Sequence, residues 1–65
     1  MKWFSVKEAA RYVRKTDMYI YQHVYAGHIP AYRPRDQEKP RIIIAQDDLD
    51  DWIRRDWELV QGNTL

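Results

Sequence analysis

The side chains here with chemistry to offer are two histidines, an aspartate run, a lone serine and a surplus of cations in one part of the chain. His23 and His28 carry the donor atoms of a metal site. Five residues of separation across an expected helix end do not put two imidazoles on one face, and no cysteine is present to complete a ligand set. Asp47, Asp48, Asp50 and Asp51 surround Leu49 without the glycine and terminal glutamate of a calcium loop, so they read as a helix start and a solvated face. Ser5 is the only serine and is needed as a helix cap, and no glycine-rich loop could cradle a phosphate. A chain of 65 residues also leaves little room for a substrate pocket. The expectation is no enzyme, with no catalytic residues, no metal and no cofactor.

Charge is the remaining chemistry, and it is unevenly spread. Residues 1 to 46 carry Lys2, Lys7, Arg11, Arg14, Lys15, Arg33, Arg35, Lys39 and Arg41 against Glu8, Asp17, Asp36 and Glu38, a balance of +5. The rest carries Arg54 and Arg55 against Asp47, Asp48, Asp50, Asp51, Asp56 and Glu58, a balance of −4. The net +1 therefore hides a dipolar molecule. A basic face on so small a domain suits a partner with a phosphate backbone, because each neutralised phosphate releases condensed counterions. A solvated surface of mixed charge has the same composition, so the order of elements must decide between them.

Residues 1–65 are expected to form a single domain, and one of this size buries only ~60% of the surface its unfolded chain exposes. Without cysteine there is no disulfide or thiolate zinc site to supplement the core. Aromatic residues must serve instead: Trp3, Trp52, Trp57, Phe4 and five tyrosines, each large ring able to bury ~150–250 Å². The longest apolar run is Ile42 to Ala45, far short of the ~20 residues that cross a bilayer. The opening MKWFSVKEAA has no apolar region of signal-peptide length. These features predict a soluble protein of the cytoplasm, with no membrane contact.

Ser5 and Glu8 have capping-box spacing, which predicts a helix from Val6. Val6, Ala9, Ala10 and Val13 then make one apolar stripe over about two turns. Thr16 is a second N-cap with Asp17 in the first turn, and helix 2 should run from Asp17 to about Ala26, with Gly27 stopping it. Its inward positions are Ile20, His23 or Tyr21, and Val24. Only Arg14 and Lys15 separate the two helices, and a link that short forces a tight helix-turn-helix corner. HIPAYR and RIIIA are rich in strand formers and flank the polar PRDQEKP, which reads as a hairpin with a long tip. Asp47 and Asp48 open a third helix, whose apolar face is Leu49, Trp52, Ile53, Trp57 and Val60 and whose stop is Gly62. Trp52 should anchor the core against Val6, Ala10, Ile42 and Ile44.

Helix, tight corner, helix, basic hairpin, helix is the layout of a small α+β winged helix-turn-helix. SVKEAARYV, then Thr16, then IYQHVYAGHIPAYR, and finally RIIIAQDDLDDWI resemble the small excisionase and MerR-like winged DNA-binding domains. In that family a T/S-V-K-E-A-A start leads to a recognition helix ending in x-G-x-I/L-P-A-x-R, and a D-L-x-x-W helix closes the domain. The resemblance spans residues 4 to 54 and rests on three blocks at matching separations. There are three departures. Arg14 and Lys15 stand where the family corner has Gly and an apolar residue, Ala45 replaces the usual capping residue, and the outward side chains of helix 2 include no Arg or Lys.

The resemblance implies double-stranded DNA as partner and a place in the nucleoid. Thr16, Asp17, Tyr19 and Gln22 would read bases from the recognition helix, Gln22 foremost because its amide can bond adenine N6 and N7 together. Lys7, Arg11, Arg14 and Lys15 would anchor phosphates. Arg33, Arg35, Lys39 and Arg41 would form the wing, with Arg35 directed at a narrow minor groove. Lys15 could also bury its alkyl stem in the corner. By analogy, an excisionase binds and bends attachment-site DNA and steers an integrase towards excision. A transcription regulator of a mobile element, or a terminase-type DNA-binding domain, would share this layout. From a different class, a protein-interaction module could dock a basic partner on the acidic helix. Trp57 and Val60 continue the apolar stripe past the end of the resemblance. Either they contact a neighbouring copy head-to-tail on DNA, or Trp57 folds back onto Trp3 and Phe4.

Overall fold

A computed structural model describes residues 2–35 and 41–60, and its elements follow the order β1 (Trp3–Ser5), α1 (Val6–Val13), α2 (Asp17–Tyr25), β2 (Ile43–Ala45) and α3 (Gln46–Asp56). Together they form a small α+β winged helix-turn-helix. Each of the first two helices starts at the cap its sequence supplies. The Glu8 N–H donates to Ser5 Oγ at 3.1 Å while the Ser5 N–H donates to Glu8 Oε1 at 2.9 Å, closing both sides of the capping box. At the second helix the Tyr19 N–H donates to Thr16 Oγ1 at 3.2 Å. Ala45 offers α3 no side-chain oxygen, and the Gln46 N–H donates instead to the Lys2 carbonyl at 2.9 Å, so the N-terminal segment caps the last helix.

Both α1 and α2 end in a left-handed residue. Arg14 sits at φ 60° and ψ 43°, with its N–H on the Arg11 carbonyl at 3.2 Å and the Lys15 N–H on the Ala10 carbonyl at 2.8 Å. Gly27 has φ 84°, with its N–H on the Val24 carbonyl at 3.1 Å and the His28 N–H on the His23 carbonyl at 2.9 Å. These paired bonds are Schellman motifs. The corner between α1 and α2 is thus built by Arg14 in a conformation that glycine adopts without strain.

The core gathers Val6, Ala9, Ala10 and Val13 of α1 with Ile20 of α2 and Leu49 and Trp52 of α3, closed by Phe4, Ile29 and Ile44. Trp52 is 1% exposed, as its place on the α3 stripe predicts, and its ring neighbours are Tyr19, His23 and Trp57. In the RIIIA segment Ile43 faces outward and Ile44 is buried, as period-two alternation requires, and Ala45 at the strand end is buried as well.

Four expectations need correction. Strand β2 has a partner that the hairpin pattern did not provide, because it pairs antiparallel with N-terminal β1, in register Trp3 with Ala45, Phe4 with Ile44 and Ser5 with Ile43. The hairpin itself is closed on the other side of β2 by one bridge, with Tyr32 and Ile43 exchanging N–H···O bonds of 2.9 Å in both directions. Helix α3 stops at Asp56, short of the expected Gly62, which lies outside the described residues. Trp57 takes an extended backbone at φ −102°, ψ 148°, and its ring meets the edge of Trp52 at 5.7 Å and 73°. Neither Trp3 nor Phe4 receives it, since Trp3 packs on Tyr32 and Phe4 on Tyr12. Val60 is 78% exposed and continues no buried stripe.

Candidate nucleic-acid interface

Helix α2 buries Ile20 and half-buries Tyr19, His23 and Val24, so its opposite face is left to solvent. That face presents Asp17, Met18, Tyr21, Gln22 and Tyr25, residues one turn or less apart on the helix surface. Tyr21 and Tyr25 stack nearly parallel, with ring centroids 6.2 Å apart at 9°. Tyr21, one of the two alternatives for an inward position, is therefore outward, and His23 takes the inward place. The spacing of Asp17, Tyr21 and Tyr25 at i, i+4 and i+8 was the available signal for this face.

Cations border both ends of the face. Near its N-terminus Lys7 and Arg41 join Asp17 and Tyr21 around a groove of about 360 Å³. Near its C-terminus Arg33 joins Tyr25 and Tyr32 around a second groove of about 240 Å³. Lys7 and Arg11 lie at i and i+4 on one exposed flank of α1, and Arg14 is exposed at its left-handed cap. The other flank carries Tyr12, whose hydroxyl donates to Asp50 Oδ1 of α3 at 2.8 Å and accepts from Gln46 Nε2 at 3.5 Å. Tyr12 thereby ties α3 to the flank of α1 that does not carry Lys7 and Arg11. Arg35 is exposed at the start of the hairpin tip, and Lys39 lies outside the described residues.

Two of the expected contact residues, Tyr19 and Lys15, pack against each other. Tyr19 is half-buried, its ring against His23 at 4.6 Å and Trp52 at 6.1 Å, so it belongs to the packing side of α2 and not to the face with Gln22. Lys15 holds its ammonium 5.3 Å from the centre of the Tyr19 ring, in a groove shared with Trp57 and Glu58. Lys15 as a whole is exposed, and this placement is a cation–π contact with Tyr19. Thr16 is exposed but spends its Oγ1 on the α2 cap.

The histidines are also closer than their spacing suggested. Gly27 turns the chain back over the end of α2, and His23 Nδ1 and His28 Nδ1 come within 3.0 Å, one ring donating and the other accepting. Arg55 secures the same turn, its Nη2 donating to the His28 carbonyl at 3.0 Å. Among the described residues no group of three or more His, Cys, Asp or Glu side chains is placed to hold a metal ion. No helix among them is long and apolar enough to cross a membrane.

Glu8 titrates below the ordinary glutamate range. Its carboxylate accepts the Ser5 N–H and lies beside the Ser5 hydroxyl, and these bonds hold it below the usual value of 4.5. Ionised Glu8 is thus part of the α1 cap and not a free acid beside the basic flank.

No curated protein and no solved structure matches the chain. The helix-turn-helix domain pattern, by contrast, runs from the first residue of β1 to the last of α3, residues 3–56, and with two capped helices meeting at a tight corner the chain belongs to the helix-turn-helix domain family, an architecture that points to sequence-specific DNA binding.

Proposed function

We propose that the protein lays α2 in the major groove of double-stranded DNA and works as an excisionase-like recombination directionality factor. The observation that carries the DNA reading is the exposed face of α2 bordered by Lys7 and Arg41 at one end and Arg33 at the other. Gln22 reads adenine through its amide, while Asp17 complements the helix dipole and is available to accept from cytosine N4. Lys7, Arg11 and Arg14 lie on the backbone of one strand, and Arg33, Arg35 and Arg41 engage phosphates or the minor groove beside the wing. None of these roles is catalytic.

The excisionase role is supported by the three sequence blocks and rests on analogy. It implies binding at repeated sites next to an attachment region, bending of the DNA and cooperation with an integrase. Copies side by side would set the acidic α3 and the exposed Leu59 and Val60 of one against the basic wing of the next, a head-to-tail contact that propagates without closing.

Competition between the selected site and random duplex tests the division of labour. Gln22→Ala should cost ~1–3 kcal/mol on the site alone, as loss of a bidentate base contact does. Arg35→Ala should weaken all duplexes alike and make the salt slope shallower by about one. Equal losses on both duplexes for Gln22→Ala would remove it as a reader. Little duplex affinity at any salt would mark an interaction module instead. Footprinting on the flanking genomic DNA, together with an excision assay, separates the biological roles: protection at a promoter with recombination unaffected would make the protein a regulator.

A further inference from the structure

The exposed face of α2 carries no lysine and no arginine, while Met18 is 65% exposed, Tyr25 74% and Tyr21 39%. Large apolar groups left together on a surface mark a contact site, and this patch lies between the two cation-bordered grooves. The major groove has one kind of apolar group to offer it, the C5 methyl of thymine. The commonest guanine contact, a bidentate Arg or Lys on O6 and N7, has no side chain here to make it. Taking the DNA-binding reading above as its basis, we infer that α2 selects A·T base pairs by their thymine methyls, with Met18 as the methyl reader beside Gln22.

The geometry suits a joint contact. Met18 and Gln22 are four residues apart, about 6 Å along the helix, which spans between one and two base-pair steps of about 3.4 Å. With the Gln22 amide on an adenine, the flexible thioether of Met18 reaches the methyl of a thymine at a neighbouring pair. The stacked Tyr21 and Tyr25 rings continue the apolar surface towards Tyr32 and the wing. Affinity then comes from the flanking cations, which leaves the central face free to discriminate.

The test selects duplexes from a randomised library with the full chain, then remakes the enriched duplex with deoxyuridine in place of single thymines. Uracil pairs as thymine does and lacks only the methyl. The enriched sites should be rich in A·T pairs, and each contacted methyl should be worth about fourfold in affinity, the value of one buried methyl-sized group. Met18→Ala, a change at an exposed position, should keep the parent melting temperature and salt slope but lose the penalty at one thymine. Equal affinity for thymine and uracil duplexes, or an unchanged penalty in Met18→Ala, overturns the inference. Salt-dependent duplex binding without a methyl effect sinks this inference alone. No duplex binding at low salt sinks the DNA reading and this with it.

Discussion

Replacing Arg14 by glycine should move stability and DNA binding in opposite directions. Arg14 is the one non-glycine residue with positive φ among those described, at φ 60° and ψ 43°. That conformation costs an L-residue roughly 1–2 kcal/mol, because Cβ crowds the following carbonyl oxygen. Glycine removes the clash, while its extra freedom in the unfolded chain returns about 0.4–1 kcal/mol of the gain. The two corner bonds, from the Arg14 and Lys15 N–H groups, are made by the backbone and persist. The net gain is about 1 kcal/mol, which in a domain of this size raises the melting temperature by roughly 4–8 °C.

The same change deletes one cation from the basic flank of α1. If Arg14 meets a phosphate, the slope of log affinity against log salt should become shallower by ~0.9, on random and specific duplex alike. Thermal melting by circular dichroism reads the first effect, and fluorescence anisotropy on a labelled random duplex over a series of salt concentrations reads the second. Arg14→Lys keeps both the charge and the left-handed strain, so it should match the parent in both assays. A melting temperature at or below the parent's for Arg14→Gly would refute the strain argument. An unchanged salt slope would remove Arg14 from the phosphate contacts.

Trp52→Ala should leave the chain largely unfolded at room temperature, since truncating a buried tryptophan costs ~3–5 kcal/mol, comparable to the stability one small core supplies; a cooperative melt near the parent's would contradict the burial of its ring. Glu8 ionises below 4.5 in the folded state, so the stability it adds is present above the unfolded value and lost as pH falls through the folded one. Parent and Glu8→Gln should therefore differ in melting temperature at neutral pH and converge in acid, and a gap that persists at low pH would show that the carboxylate charge contributes nothing. Leu59 and Val60 are 82% and 78% exposed, so changing both to serine should spare the melting temperature and single-site affinity while abolishing cooperativity on multi-site DNA; intact cooperativity would leave the head-to-tail contact without support.

What the sequence makes legible is what a few adjacent residues decide among themselves. Ser5 with Glu8, and Thr16 with Asp17, mark two helix starts because a cap is a bond across three residues, and the stripe from Val6 to Val13 identifies the buried face of α1 by the same local logic. Strand β1 escapes that logic. Three residues are too few to show a period, and what makes Trp3–Ser5 a strand is Ile43–Ala45, some forty positions away. Trp57 misleads for the opposite reason, because its spacing copies the α3 stripe while its ring reaches Trp52 by leaving the helix.

The two histidines show most sharply where local spacing fails. Counting along a helix places residues five apart on different faces, and that count would hold if the helix continued through both. The Schellman turn breaks it, since a left-handed residue brings the second position beyond the cap back over the last turn, so the residues five apart are the pair that meets. In α1 that pair is Ala10 and Lys15, joined through the backbone alone. In α2 it is His23 and His28, and the spacing that argued for separating the imidazoles is the one that joins them at 3.0 Å. Gly27 is legible as a stop, but the side-chain contact follows only when that stop is taken as a reversal of the chain as well as an end.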